Sequence, residues 1–143
     1  MTFDHQPSTR AYIAGFFDGE GCITVSANGA LTLSVINTGK KVLDMFQEVL
    51  GGTVTERKQR VNKTQYTWRA YGETAVDALE SMFQFLVEKK EQAEVALSWM
   101  EERQEYKATN VGYLKGKKAH PLRAKRLDEI RKELTRLKLK EAA

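Results

Sequence analysis

Two carboxylates, Asp18 and Glu20, stand beside Gly19 and Gly21 where a predicted helix must end. The last carbonyl groups of a helix lack intrahelical partners and carry partial negative charge, so acidic side chains there oppose stability. A bound cation removes this conflict, because Mg²⁺ and related ions take carboxylate and carbonyl oxygens as ligands. The spacing therefore indicates either a metal site or an Asp-Gly turn that starts a hairpin.

The predicted helix before these acids has one face without large side chains. Ala11, Gly15 and Gly19 recur every four residues and therefore share one side of the helix. Such a face lets a second helix approach closely, by analogy with small-residue patterns in membrane helices. This face favours a paired helix with a metal site over the simple turn.

Length and composition limit the remaining possibilities. The chain has 143 residues, enough for one domain, with 41% hydrophobic and 29% charged residues. It has no apolar run as long as a membrane span and no secretory signal at its start, so no membrane partner is expected. We expect a soluble intracellular protein, in a bacterial or phage-host cytoplasm or in an organelle.

Cysteine and histidine are too few for most metal clusters. Cys22 is the only cysteine, and the two histidines are His5 and His120. Internal disulfides and cysteine-rich zinc sites are therefore excluded, which leaves carboxylates as the metal ligands. The net charge of +4 and a pI near 9.2 make a polyanionic partner plausible.

Alternating residues predict two β-hairpins. The first joins Cys22–Ser26 to Leu31–Ile36 through the turn residues Asn28 and Gly29, and the second joins 53–59 to 64–71. The buried sides would carry Ile23, Val25, Leu31, Leu33, Val35, Val54, Tyr66 and Trp68. The opposite sides would carry short polar groups, arginines and amides, which suit base edges and phosphates. A solvated sheet face is the alternative.

Helical periodicity marks the remaining elements. Thr38 is predicted to cap a helix from Lys40 to Leu50, and apolar residues at helical spacing continue from Ala75 to about Tyr106. Residues 108–143 then form a basic linker and an amphipathic helix over about 123–140. Residues 1–107 would form the core unit.

The segment from Ile13 to Gly21, Ile-Ala-Gly-Phe-Phe-Asp-Gly-Glu-Gly, resembles the LAGLIDADG motif of homing endonucleases and related intron maturases. It matches the motif at the Ala-Gly pair, at both acidic positions and at the last glycine. The resemblance implies an α+β fold of order αββαββα, with an antiparallel four-stranded DNA-binding sheet and C-terminal helices. This order also implies a break near 87–89 in the helical segment from Ala75 to about Tyr106, although no Gly or Pro marks it. Only one motif is present, so the resemblance implies a homodimer paired through the motif helices.

The resemblance also implies an activity, namely metal-dependent hydrolysis of double-stranded DNA at a long, near-palindromic site. Glu20 would bind Mg²⁺ or Mn²⁺ together with the Gly19 carbonyl, and Lys89, or alternatively Lys90, would act near the scissile phosphate. The gene would belong to a mobile intron or an intein-like element. A non-cleaving nucleic-acid-binding module, either an intron RNA maturase or a DNA-binding regulator, is the alternative.

Two sets of residues follow from this expectation. The dimer interface would contain Ala11, Ala14, Gly15, Asp18 and Gly19. Asp18 would cap or orient the partner motif, or alternatively would make only a hydrogen bond at a helix end. DNA would be bound by Thr24, Ser26, Thr32, Ser34, Thr38, Thr55, Arg57, Gln65, Thr67 and Arg69. The tail helix would be a packed surface helix or would add phosphate contacts from Arg123, Lys125, Arg126, Arg131 and Arg136.

Overall fold

A computed structural model describes residues 6–61, 63–108 and 121–142. The elements are α1 (Pro7–Glu20), β1 (Gly21–Val25), β2 (Leu31–Asn37), α2 (Lys40–Leu50), β3 (Thr53–Arg57), β4 (Gln65–Tyr71), α3 (Glu73–Phe83), α4 (Lys90–Ala108) and α5 (Pro121–Ala142). The expected α+β order, two helix–hairpin units followed by helices, is confirmed. No helix among the described residues is long and apolar enough to cross a membrane.

Four antiparallel strands form one sheet in the order β1-β2-β4-β3, so the two hairpins meet along β2 and β4. The first hairpin turns at Asn28 and Gly29 as predicted, with Gly29 at a φ of +86°. The Asn28 Oδ1 atom accepts a hydrogen bond of 3.0 Å from the Ala30 N–H. The second hairpin is shorter than expected, because β3 ends at Arg57.

One face of the sheet forms the core with the helices. Ile23, Leu31, Leu33 and Val35 are buried there, as the alternation predicts. The Phe46 ring of α2 lies 4.9 Å from the Trp68 ring of β4, centroid to centroid. The side chains that alternate with these core residues lie on the opposite face of the sheet, which we call the polar face.

The start of α2 differs from the sequence prediction. Gly39 occupies the N-cap position and no side chain caps the helix. The Asn37 Oδ1 atom instead accepts a 2.7 Å hydrogen bond from the Gly39 N–H, which turns the chain between β2 and α2. The prediction that Thr38 caps this helix is therefore wrong.

The tail helix α5 packs along α4 and the open edge of β1. Leu127, Ile130 and Leu134 are buried in the common core. Arg126 joins the helices through two hydrogen bonds to the Glu102 carboxylate, of 2.8 and 2.9 Å. The packed-helix interpretation of the tail is thus the one that the contacts favour. The predicted linker lies mostly in 109–120, outside the described residues.

Three tail arginines proposed as phosphate ligands have other partners. Arg123 is buried and donates a 3.0 Å hydrogen bond to the Asn28 carbonyl at the hairpin turn. Arg131 donates to the Val25 carbonyl at 3.2 Å. Arg136 pairs with Glu133 on its own helix. Arg123 and Arg131 therefore stabilise the position of α5 on the first hairpin.

Candidate active site and polar sheet face

Glu20 is the last residue of α1 and its side chain is exposed. Within the part of the chain that the structure describes, its carboxylate makes no hydrogen bond or ion pair. The chain turns directly from α1 into β1 at Gly21, where a Cβ atom would collide with the Phe17 ring. This tight turn leaves the Glu20 carboxylate at the surface, where it is accessible to a ligand.

Asp18, two residues earlier, lies in a different environment. Its carboxylate accepts hydrogen bonds from three successive backbone N–H groups, at Val87 (3.2 Å), Glu88 (3.0 Å) and Lys89 (2.9 Å). These N–H groups belong to the turn before α4, so Asp18 fixes that turn near the N-terminal end of the helix, where a negative charge is favourable. Asp18 thus has partners within its own chain, and its contact with a partner motif stays a prediction. The attachment also explains the break between α3 and α4, which no Gly or Pro marks.

Lys89 lies against the same end of α1. Its Nζ atom donates to the Asp18 carbonyl oxygen at 2.8 Å and to Glu141 Oε1 at 2.7 Å. The residue is only 5% exposed. An ammonium group has three N–H donors, so one remains for a water or a phosphate. Lys90 instead holds its Nζ atom 5.0 Å from the centroid of the Phe83 ring.

The sequence analysis did not identify Glu141 as part of this site. One carboxylate oxygen accepts from Lys89, and the other accepts from the Gln92 side chain. Gln92 is 2% exposed, so its amide group depends on this partner. Glu141 lies 52 residues after Lys89 on a polar helix face, and no local pattern distinguishes it from the other glutamates of α5.

The donor groups at this site are compatible with a divalent cation only if other ligands join them. Among the described residues, no cluster of three or more His, Cys, Asp or Glu side chains could hold a metal ion. One chain therefore offers the Glu20 carboxylate and nearby backbone carbonyls such as that of Gly19. This set fits Mg²⁺, which usually keeps several waters and binds one or two carboxylates plus substrate phosphates.

The small-residue face of α1 is open. Gly15 and Gly19 are exposed, and a Cβ atom on either would meet no other atom within 4 Å. Ala11 and Asp18 are partly exposed. Ala14 is fully buried in the core of its own chain and does not belong to this open face.

The polar face of the sheet brings together most of the predicted DNA-binding side chains. In the strand register, Thr24 pairs with Thr32, Ser34 with Arg69, Thr55 with Thr67, and Arg57 with Gln65. Paired residues share a face, so these eight side chains form rows across all four strands. Ser26 follows β1 at the hairpin turn, and Thr38 follows β2 outside the sheet.

The register adds four residues to this face that the sequence analysis did not include. Cys22 pairs with Ser34, Tyr71 with Thr32, Ile36 with Thr67 and Thr53 with Arg69. Tyr71 is 57% exposed and Ile36 is 53% exposed. Strict alternation along each strand could have identified all four of them. The face therefore combines hydroxyl groups, two arginines and two large apolar surfaces.

Comparisons with known proteins agree with this architecture. Residues 8–84, more than half of the chain, match the family model of the LAGLIDADG-like domain. The chain matches no curated protein sequence. The matched segment begins at the start of α1 and ends after α3, and it contains the whole sheet.

Several solved structures have a similar fold. The homing endonuclease I-CvuI, in complex with its target and in the presence of Ca, has 24% identity and a TM-score of 0.58, with 90% of this chain and 95% of that chain covered. The archaeal intron-encoded homing endonuclease I-Vdi141I, complexed with DNA, has 21% identity and a TM-score of 0.68, with 91% and 84% covered. The homing endonuclease I-TnaI has 16% identity and a TM-score of 0.61, with 99% of both chains covered. At these identities the similarity shows the fold.

Proposed function

Because the chain belongs to the family of LAGLIDADG-like domains, we propose that it is a site-specific endonuclease of double-stranded DNA. The observation that carries this proposal is the pair of acids at the end of α1. Asp18 is used by the fold, whereas Glu20 is exposed without a partner among the described residues. An exposed carboxylate next to a phosphate backbone is unfavourable for simple binding but necessary for holding a divalent cation.

The proposed site consists of Glu20 as metal ligand and Lys89 as a cationic group. A divalent cation bound at Glu20 would supply a polarised water and would stabilise the charge that develops on the phosphate. Lys89 contacts the Asp18 carbonyl, two residues before Glu20, so its remaining N–H can donate to a phosphate oxygen or a water there. The structural neighbour I-CvuI has been crystallised in the presence of Ca and of Mg, which supports a divalent cation.

The polar face of the sheet is the proposed DNA-binding surface. A strand of seven residues such as β4 spans about 23 Å, and B-DNA rises about 3.4 Å per base pair, so one sheet covers about seven base pairs. Arg57 and Arg69 can donate to guanine edges or phosphates, while the threonines and serines can contact either. Tyr71 and Ile36 can contact thymine methyl groups.

The proposed active unit is a homodimer paired through the open face of α1. A single chain supplies one Glu20 carboxylate, whereas a pair of chains supplies one such group for each DNA strand. A two-fold axis beside Gly15 and Gly19 would bring both motif ends together and place one sheet on each half of a near-palindromic site. The intron-encoded origin stated for I-Vdi141I supports a mobile intron or intein-like element as the host of this gene.

Selection from a DNA library tests the proposed activity. A randomised duplex library is incubated with the protein and Mg²⁺ or Mn²⁺, and cut molecules are sequenced, with EDTA samples as the control. We expect cut sites that share a long, near-palindromic sequence and disappear with EDTA. Retention of library DNA on the protein without any cutting would contradict the nuclease function and would favour a non-cleaving nucleic-acid-binding module.

A further inference from the structure

We propose that Glu141, at the end of the tail helix, is a positioning residue for Lys89. This proposal rests on the proposed nuclease function, in which Lys89 is the cationic group of the site. The structure joins the two residues through a 2.7 Å ion pair in which the Lys89 side chain is 7% exposed and the Glu141 side chain is 24% exposed. Glu141 therefore binds the ammonium group from α5, whereas its other acceptor belongs to the motif helix α1.

Two acceptors fix the Lys89 ammonium group. The Asp18 carbonyl oxygen accepts at 2.8 Å, and Glu141 Oε1 accepts at 2.7 Å. The backbone of Lys89 is fixed as well, because its N–H donates to Asp18 Oδ1 at 2.9 Å. The backbone of the loop before α4 is thus attached to α1, and the Lys89 ammonium group is attached to both α1 and α5.

Removal of Glu141 would leave this arrangement incomplete. A buried ammonium group with only one acceptor is unfavourable, and lysine has four rotatable bonds through which its charge can move to water. The Gln92 amide would lose its partner at the same time. Lys89 would then point away from the motif helix without any change in the backbone. Catalytic groups displaced by about 1 Å can lose rate by about 100-fold.

The other contacts of α5 are expected to survive this change. Leu127, Ile130 and Leu134 pack in the core. Arg126 pairs with Glu102 near the N-terminal end of α5, far from Glu141 along the helix. Glu133 is a matched control, because it is a glutamate on the same helix that pairs with the exposed Arg136 at 2.7 Å. Glu133→Ala removes one carboxylate and one ion pair but nothing at Lys89.

The first test observes the ammonium group directly in the protein without DNA. Lysine NH₃⁺ groups that are buried and hydrogen-bonded exchange slowly with water and give ¹H–¹⁵N signals. We expect one such signal in the wild type and in Glu133→Ala, absent from Lys89→Ala and from Glu141→Ala. Persistence of the signal in Glu141→Ala would overturn the positioning role. This test decides the proposal even if the protein cuts no DNA, in which case the nuclease function alone fails.

The second test is a double-mutant cycle on the single-turnover cleavage rate. Glu141→Ala should lower the rate by about 10-fold to 100-fold, with DNA affinity in EDTA unchanged, and Lys89→Ala/Glu141→Ala should be no slower than Lys89→Ala. Glu133→Ala should cut at the wild-type rate. If Glu141→Ala lowered the cleavage rate by the same factor in the wild type and in Lys89→Ala, the role of Glu141 would be structural only. Faster cutting by Glu141→Ala would show that Glu141 restrains Lys89 rather than positioning it, and either result would overturn the proposal.

Discussion

Asp18 and Glu20 are separated by one residue, yet their carboxylates have different surroundings. Asp18 accepts hydrogen bonds from three backbone N–H groups in the turn just before α4, whereas Glu20 is exposed to solvent. The carboxylate of Asp18 therefore stabilises the fold, whereas the carboxylate of Glu20 is available to bind a ligand. Neutralising each one in turn separates an effect on stability from an effect on activity.

Asp18→Asn should destabilise the protein and Glu20→Gln should not. An amide has one acceptor oxygen, so at least one of the three N–H groups before α4 loses its partner and the favourable charge is removed. We expect a loss of about 1 to 3 kcal/mol in the free energy of unfolding, measured by urea denaturation. Equal stability of Asp18→Asn and the wild type would mean that these hydrogen bonds contribute nothing to the free energy of unfolding.

Arg69 should contribute to the base preference of the sheet. It is exposed in the middle of β4, paired with Ser34 on one side and Thr53 on the other, so its guanidinium group can reach a groove. Arg69→Ala should reduce discrimination at one or two positions of each half-site by about 1 to 3 kcal/mol, and Arg57→Ala at positions nearer the end. Affinities for a set of single-base variants measure this. A uniform loss for every sequence would identify phosphate contacts instead.

At the scale of elements, α1 is predicted to be the dimer contact. Gly15→Leu should produce a folded monomer, because a Cβ atom there would meet no other atom within 4 Å, while the added side chain would separate two paired helices. Leucine also has a better helix propensity than glycine, so the far-UV circular dichroism should be unchanged. Sedimentation should show a dimer for the wild type and a monomer for the variant. A dimeric Gly15→Leu protein would place the interface elsewhere.

The contact between α4 and α5 should depend on pH. Hydrogen bonds from Arg126 hold the pKa of Glu102 below its usual value, against a smaller opposing effect of burial. A lowered pKa in the folded state means that the pair stabilises the protein above the usual glutamate pKa and stops doing so as the pH falls through the lowered value. Both side chains are partly exposed, so Glu102→Gln should cost at most about 1 kcal/mol at pH 7.

Urea denaturation of both proteins between pH 7 and pH 3 measures this difference. The gap in unfolding free energy between the wild type and Glu102→Gln should shrink toward the acid end. A gap that stays constant with pH would show that the pair carries no net charge interaction.

The elements were predictable from the sequence where a short-range pattern specifies them. Alternation located both hairpins, Asn28-Gly29 located the first turn, and helical spacing located α2 with its bounds. The contact between Asp18 and the turn before α4 was not predictable, because Asp18 lies about 70 residues from the N–H groups that it binds. Glu141 was missed for the same reason. Long-range polar contacts depend on how elements pack and leave no local period in the sequence.

At the scale of the whole molecule, α5 connects the hairpin turn to the candidate active site. Arg123 contacts Asn28 at the tip of the first hairpin, Arg131 contacts Val25 at the end of β1, and Glu141 contacts Lys89 beside the end of α1. A helix of 22 residues is about 33 Å long, so this single element contacts both the hairpin turn and the candidate active site. The polar face and the candidate active site therefore belong to one packed unit. The bond that is cut should then lie at a fixed distance from the base pairs that the sheet contacts.

The comparison of Glu20→Gln with the wild type tests the central claim most directly. Both proteins are measured on one selected target, for affinity in EDTA and for cleavage rate in Mg²⁺. We predict that Glu20→Gln binds as tightly as the wild type or more tightly, since it removes a negative charge near the phosphates, and that it does not cut. Cleavage by Glu20→Gln at the wild-type rate would contradict the account.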